Sequence, residues 1–325
     1  MKLPRRQFLQ LAAGAAALPS VSPLVWAQAY PTRPVRLIVP QAPGSGSDII
    51  ARLMGQWLSE RLGQSFVIEN RPGAAGNIGA EAVARASPDG YTLLLIPTSN
   101  AVNAALYDNL NFNFLRDIAP IAGILQPPFV MEVTPSFSAK TVPEFIAYAK
   151  ANPGKLNMAS AGKGSVSHVA GELFKMMTSI NVIHVPYRGS TPGLTDLLGG
   201  QVQLMFDAMP SSIEHINAGR LRALAVTTAA RYEGLPDIPT VGDFVSGYEA
   251  SGWLGLGAPR NTPAEIITML NKEISAALRD PKIKARFADL GSTALPASPA
   301  EFGKLIANEI EKWGKVIKFA NIKAE

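Results

Sequence analysis

The sequence predicts an α/β protein built as two lobes. Short β-branched apolar runs alternate with stretches of helical periodicity along most of the chain, the order that α/β architectures require. The apolar runs are near-continuous, which suits strands covered on both faces. Pro-rich punctuation falls at two places, "ILQPPFV" (124–130) and from "LPDIPT" to "GAP" (235–259), where the chain can pass between lobes. Two crossings make one lobe discontinuous: residues 28–126 with 250–325 form the first lobe and 127–249 the second. At 325 residues, 47% apolar and 17% charged, the chain can bury cores of that size.

The predicted elements follow in order. "VRLIVP", "SFVIEN" and "YTLLLIP" read as strands of the first lobe, with "DIIARLMGQWLSERLG" as a helix closed by Gly63. "FVMEVTP", "KLNMAS", "NVIHVPY", "QVQLMF" and "LRALAVTT" are strands of the second lobe, and "TVPEFIAYAKA", "SVSHVAGELFKMM" and "TPGLTDLLGG" are its helices. "TPAEIITMLNKEISAALRD" and "SPAEFGKLIANEIEKWGKVIKFA" open on Thr262 and Ser298, each followed by Pro and by Glu three residues on. That pattern predicts a capping box with Pro at the first helical position in both.

The first residues stand apart. A basic start, an apolar stretch from Phe8 to Leu18 and small residues up to Ala27 describe an export signal over 1–27, and Arg5-Arg6 before Phe8-Leu9 gives it a twin-arginine character. Its removal takes away Lys2, Arg5 and Arg6 and leaves 27 basic residues against 25 acidic ones, a net of +2 in place of +5. The basic balance is therefore no argument for nucleic acid. No later apolar stretch reaches a membrane span of about 20 residues uninterrupted by Gly, Pro or charge. With no cysteine there is no disulfide framework, thiolate metal site or cysteine nucleophile. The expected location is the periplasm.

Catalytic and cofactor patterns are absent. His168, His184 and His215 are the only histidines, and none shares metal-ligand spacing with another. No G-x-S-x-G elbow occurs, and each Gly-Lys pair lacks the Ser or Thr of a phosphate-cradling loop. "GAAGNIG" (73–79) lacks the dinucleotide spacing. No cofactor is expected.

What recurs is a Gly/Ser loop leaving a strand and entering a helix, at "PGSGSD" (43–48) and "ASAGKGSVSH" (159–168). Such loops aim backbone N–H groups at one point, and a helix N-terminus there favours an anion by about 0.3 to 2 kcal/mol. Two converging loops could hold a carboxylate without arginine. Helix capping by Ser47 and Ser165 is the plainer alternative, and Asp48 in the first turn reads as a loop-shaping cap.

At this point the chain resembles the Bug-type receptors of tripartite tricarboxylate transporters, through "VPQAPGSGSD", "ENRPGAAGNIGA", "SPDGYTLLL", "SAGKGSVSHVAGELF", "VPYRGSTPGLTDLLGGQVQLMFD", "LPDIPTVGD" and "GWLGLGAPRNTP". The resemblance implies a type II periplasmic-binding-protein fold, two Rossmann-like lobes closing on a small carboxylate, and no catalysis. It places Gln41, Pro43, Gly44, Ser45, Gly46 and Ser47 at the first anion loop, and Ser160, Gly162, Lys163, Gly164, Ser165 and His168 at the second. Ser99 and Asn100, Tyr187, Arg188 and Gly189 up to Ser190, and Asp207 follow strands that point at the same cleft.

His168 could equally be a packing residue, Tyr187 a core aromatic and Asp207 a cap. Gln41 and Ser45 depart from the family pattern, where an aromatic and a glycine are usual, and make the pocket mouth more polar. Lys163 and Arg188 either pair with a second ligand carboxylate or are solvated. The implied role is uptake of a mono- or dicarboxylate with an inner-membrane permease. A ligand-sensing subunit for a sensor kinase and an exported hydrolase using His168 or Asp207 as base are the alternatives.

Overall fold

The computed structural model describes residues 30–107 and 109–323, so the expected export signal lies outside the described residues. Two mixed sheets, each with helices, carry the fold. The six-stranded sheet contains β1 (Val35–Val39), β2 (Phe66–Asn70), β3 (Thr92–Pro97), β4 (Ile118–Gln126), β10 (Leu254–Pro259) and β11 (Thr293–Ala297), in the order β11-β4-β10-β3-β1-β2. The five-stranded sheet contains β5 (Phe129–Val133), β6 (Asn157–Ser160), β7 (Ile183–Pro186), β8 (Leu204–Ala208) and β9 (Arg222–Val226), in the order β7-β6-β8-β5-β9.

Within the first sheet β2-β1-β3 run parallel, while β10 is antiparallel to both β3 and β4 and β11 is antiparallel to β4. Within the second, β7-β6-β8 run parallel and β5 is antiparallel to β8 and β9. Parallel strands require crossover helices. These are α1 (Gly46–Leu62), α2 (Asn77–Ala84) and α3 (Thr98–Leu106) in the first unit, with the short α4 (Phe114–Asp117) leading into β4. The second unit has α5 (Val142–Ala151), α6 (Val166–Thr178), α7 (Ser190–Leu198) and α8 (Met209–Asn217).

The chain returns to the first sheet through β10 and ends on α9 (Ala264–Ala277), α10 (Pro281–Asp289) and α11 (Pro299–Ala320). Ser298 caps α11 in the predicted capping box: its Oγ accepts the Glu301 N–H while the Glu301 carboxylate accepts the Ser298 N–H. At α9 the expected box does not form. Thr262 donates its hydroxyl to the Pro259 carbonyl at 2.7 Å, so it braces the end of β10 and leaves the helix without a side-chain cap.

Strands β4, β10 and β11 are not legible as strands in the sequence, because Pro and Gly interrupt them. The glycines mark close approach. A Cβ at Gly255 would lie 2.1 Å from the Phe302 ring, and one at Gly123 would lie 2.5 Å from the Leu295 carbonyl.

Each sheet has its own core. Leu37, Leu93, Leu95, Ile124 and Leu256 are buried in the first with Met54 and Leu58 of α1; Met131, Met158, Phe145, Phe174 and Phe206 are buried in the second. Helix α11 belongs to both. Phe302 and Ile306 near its start pack with Ile38, Ile96 and Trp253, whereas Trp313, Val316 and Ile317 near its end pack with Phe145 and Phe174.

Two connections join the sheets directly, Gln126 to Phe129 and the segment before Leu254. They touch at Gly252, where a Cβ would come within 2.9 Å of the Phe129 ring and 3.0 Å of Pro127. Among the described residues no helix is long and apolar enough to cross a membrane.

Candidate functional site

The carboxyl ends of β1, β3, β6, β7 and β8 each lead into a helix, and they face one cavity of about 540 Å³ between the two sheets. This is where open α/β sheets place ligands. Five helix N-termini contribute first-turn residues to its wall: Gly46 and Ser47 of α1, Thr98 and Ser99 of α3, Val166 and Ser167 of α6, Ser190 of α7, and Pro210 and Ser211 of α8. Ile49, Ile50, Leu125, Phe129, Trp253, Leu254 and Leu290 supply apolar surface. Among the described residues no Lys or Arg lines this cavity, and its one ionisable side chain is Asp207. A second cavity, about 530 Å³ beside Ala104 to Arg116 and Ile310, takes nothing from the second sheet.

The first loop is held by its own polar groups. Ser45, not Ser47, caps α1, accepting the Asp48 N–H at 3.2 Å. Asp48 is buried and accepts from Gly44 N–H at 2.9 Å, from both Nε and Nη2 of Arg52 and from Asn70 Nδ2, which also donates to the Gln41 carbonyl. The Arg52 guanidinium holds the Asp48 carboxyl below its usual range, assisted by Gly44 and Asn70 and opposed by burial. Asp48 thus shapes the loop, as read from the sequence, and Ser47 is left to face the cavity.

The second loop is supported from behind. Ser165 caps α6, accepting the His168 N–H at 3.2 Å and donating to the Gly162 carbonyl at 2.7 Å. The Gly164 N–H donates to His168 Nδ1 at 3.1 Å, and the Gly162 N–H to Ser160 Oγ at 3.2 Å. His184 Nε2 shares Ser160 Oγ at 2.6 Å, and its ring stacks on that of His168 with centroids 3.6 Å apart.

These bonds change which main-chain groups are available. The loop N–H groups of Gly44, Ser45, Gly162, Gly164 and Ser165 are spent inside the loops. Gly46, Ser47, Val166 and Ser167 are on the cavity wall, and their first-turn N–H groups lie where no preceding helical carbonyl can reach them.

His168 lies 3.7 Å from Glu172 and has the geometry of an ion pair, but burial decides otherwise. Burial first, then His184, Lys175 and Lys163, push its pKa down to about 3; burial, Lys175 and Lys163 take His184 to about 4. With Nδ1 accepting from Gly164, the His168 proton sits on Nε2. Both rings bind protons more readily when the chain unfolds, because the unfolded value lies near 6.5. Stability is therefore lost as pH falls from about 6.5 towards 4. Thermal melts at pH 7 and 4.5 should show the midpoint falling by several degrees, and His184→Gln should flatten the slope. An unchanged wild-type midpoint would show that the pair does not govern acid stability.

The cavity wall gathers seven of the sequence-predicted residues, Gln41, Gly44, Gly46, Ser47, Ser99, Ser165 and Asp207, together with Ser190. Pro43, Ser45, Asn100, Ser160, Gly162, Lys163, Gly164, His168, Tyr187, Arg188 and Gly189 are not on it. Lys163 and Arg188 are exposed, and Asn100 is buried beside Gly76. The Tyr187 hydroxyl donates to Asp196 at 2.5 Å, with burial and Asp196 pushing it up to about 12, so it closes onto α7.

Ser167 and Trp253 line the wall although neither was singled out as a site residue. Ser167 lies in the first turn of a helix whose N-terminus was identified, and that position was the available signal. Leu290 and Ser292 come from the turn after α10, which carries no local signal.

Comparison with known proteins places the chain in a family. Residues 50–322 match the model of the tripartite tricarboxylate transporter family receptor. Protein BugT of Bordetella pertussis (strain Tohama I) is 38% identical over 299 residues, 90% of this chain and 91% of that protein. Among solved structures, R. palustris Rpa4515 with adipate superposes with a TM-score of 0.82 at 39% identity, covering 90% of this chain and 99% of its own. MatC (Rpa3494) from Rhodopseudomonas palustris with bound malate gives 0.77 at 32%, covering 89% and 100%.

Proposed function

The chain belongs to the tripartite tricarboxylate transporter receptor family, whose members are receptors and not enzymes, and from that premise we propose that it is a periplasmic receptor for a small organic mono- or dicarboxylate. The observation that carries this reading is the convergence of five helix N-termini on a cavity with no Lys or Arg on its wall. Such a field favours an anion with a carbon skeleton, which the apolar wall would cover. The adipate and malate held by the two Rhodopseudomonas proteins support the same class.

Magnitudes constrain how the site works. Micromolar affinity requires about 8 kcal/mol. Five dipoles at roughly 0.3 to 2 kcal/mol each supply from about 1.5 to about 10 kcal/mol, so over most of that range they fall short. The remainder comes from hydrogen bonds to the first-turn N–H groups and to the hydroxyls of Ser47 and Ser99, made as the lobes 28–126 with 250–325 and 127–249 close and exclude water. Residues 1–27 direct export, and a tripartite permease receives the cargo.

Native mass spectrometry of protein purified without refolding, followed by a thermal-shift panel of carboxylates, tests this. A bound carboxylate at about 100 times its Kd adds about 2.7 kcal/mol. For a chain of this size the expected rise in Tm is about 5 to 10 °C. If a neutral sugar or an amine raised the midpoint and no carboxylate did, the reading would be lost.

A further inference from the structure

The one ionisable group on the cavity wall is an acid, in a site read as binding acids. Asp207 is the penultimate residue of β8 and is 1% exposed. Its Oδ1 accepts the Ser190 hydroxyl at 2.6 Å, while its Oδ2 is buried and has no hydrogen-bond partner among the described residues. A second carboxyl lies beside it. Val130 of β5 pairs with Asp207 and Glu132 pairs with Met205, so Glu132 sits diagonally across on the same face of the sheet. Glu132 is fully buried and accepts the Ser212 hydroxyl at 2.9 Å, and its Oε2 has no hydrogen-bond partner among the described residues.

Among the described residues no cation pairs with either carboxyl. On α6, His168 is neutral and Glu172 is paired with Lys175; on α7, Asp196 accepts from Tyr187; β6 carries no titratable side chain. Glu214 and His215 lie in the last turn of α8, beyond Ser212, and Arg222 of β9 donates to the Phe137 carbonyl. Two buried carboxylates with no counter-ion are costly, and each is cheaper as a neutral acid. Burial drives both upwards, Glu132 well above the ordinary range with Asp207 adding to it, and Asp207 to about 7 against the bonds from Ser190 and Ala208.

Resting on the carboxylate reading above, we propose that Asp207 meets the ligand as a neutral carboxylic acid, donating its hydroxyl from Oδ2 to a ligand carboxylate, so that binding draws a proton from solvent wherever Asp207 is ionised in the empty receptor. The neutral acid leaves the field of the helix N-termini to the ligand. An ionised Asp207 would oppose it. Ligands with a second carboxylate are accepted on these terms, and a ligand ammonium gains nothing at Asp207 while it is protonated.

Carbon-13 spectra of the mature chain labelled at Asp carboxyls, with Asp207→Asn to assign the signal, should show one aspartate titrating near pH 7. Adipate and malate then serve as calorimetric probes. Only the protonated receptor binds well, so wild-type affinity should fall about tenfold between pH 6 and pH 8. Asp207→Asn, whose amide donates at any pH, should lose that dependence and bind more tightly than wild type at pH 8. Glu132→Gln should keep the dependence; its loss there would move the titrating proton to Glu132 and overturn the assignment.

An Asp207 ionised from pH 5 to 8, an affinity that rises with pH, or loss of binding in Asp207→Asn at both pH values would each overturn the proposal. Absence of binding by both probes at every pH would strike the carboxylate reading itself and remove the role of Asp207 with it, whatever the spectra show of its protonation.

Discussion

Gly46→Asp should abolish carboxylate binding and leave the fold intact. Gly46 is the first residue of α1, lies on the cavity wall, and has open space where a Cβ would go, with nothing within 4 Å. An aspartate at that position favours the helix by about 0.3 to 1 kcal/mol, so the melting midpoint should hold or rise slightly. The same carboxylate would compete for the first-turn N–H groups and repel a ligand carboxylate. At about 4 Å and an effective dielectric near 20 that repulsion is about 4 kcal/mol, enough for a loss of at least about 100-fold. Gly46→Asn, of nearly equal size and without the charge, should lose much less. Calorimetry beside a melt of each variant separates charge from bulk. An Asp variant that binds as tightly as wild type would remove α1 from the site.

Trp253→Ala should produce the largest loss of stability among changes to the cavity wall. Trp253 is 2% exposed, meets Phe302 edge-on with centroids 5.4 Å apart, and donates Nε1–H to Glu309 at 3.4 Å. Its backbone is clasped by Thr98, whose hydroxyl and N–H contact the Trp253 N–H and carbonyl between 2.6 and 3.0 Å. Removing a buried indole costs about 3 to 5 kcal/mol. That corresponds to a fall in Tm of roughly 10 °C. The loss falls where the chain re-enters the first sheet, so ligand affinity should drop with it. Trp253→Phe should recover part of both. A melt of Trp253→Ala within a degree or two of wild type would mean that the crossing is braced elsewhere.

The parallel halves of both sheets are legible in the sequence, because each strand is an apolar run followed by a turn and an amphipathic helix. The antiparallel part of the first sheet is not. "IAPIAGILQ" and "LGLGAP" contain Pro or Gly where a strand signal needs bulk, and the reason is tertiary: Phe302 and Leu295 need the space that Gly255 and Gly123 leave. Local patterns cannot report a partner close to fifty residues away or more.

The site divides in the same manner. Both Gly/Ser loops were visible, and so was Asp207 at a strand end. Which serine caps α1 depended on where the helix begins, and Ser45 rather than Ser47 took that place. Whether a glycine N–H is free depended on what stands behind the loop. His168 and His184, distant in sequence from one another, consume groups that the loops alone would have left open.

Because the positive field of the cavity is made by the direction of five helices and not by charged side chains, no single neutral substitution on the wall can cancel it. On the proposed reading, preference for an anion comes with the fold, and choice among anions falls to the side chains that face the cavity. On that reading Gln41, Ser211, Ile49 and Leu290 are positions where a substitution would change the choice among anions more than the preference for them. A site built in this way can change what it carries by small steps, without passing through a form that binds nothing.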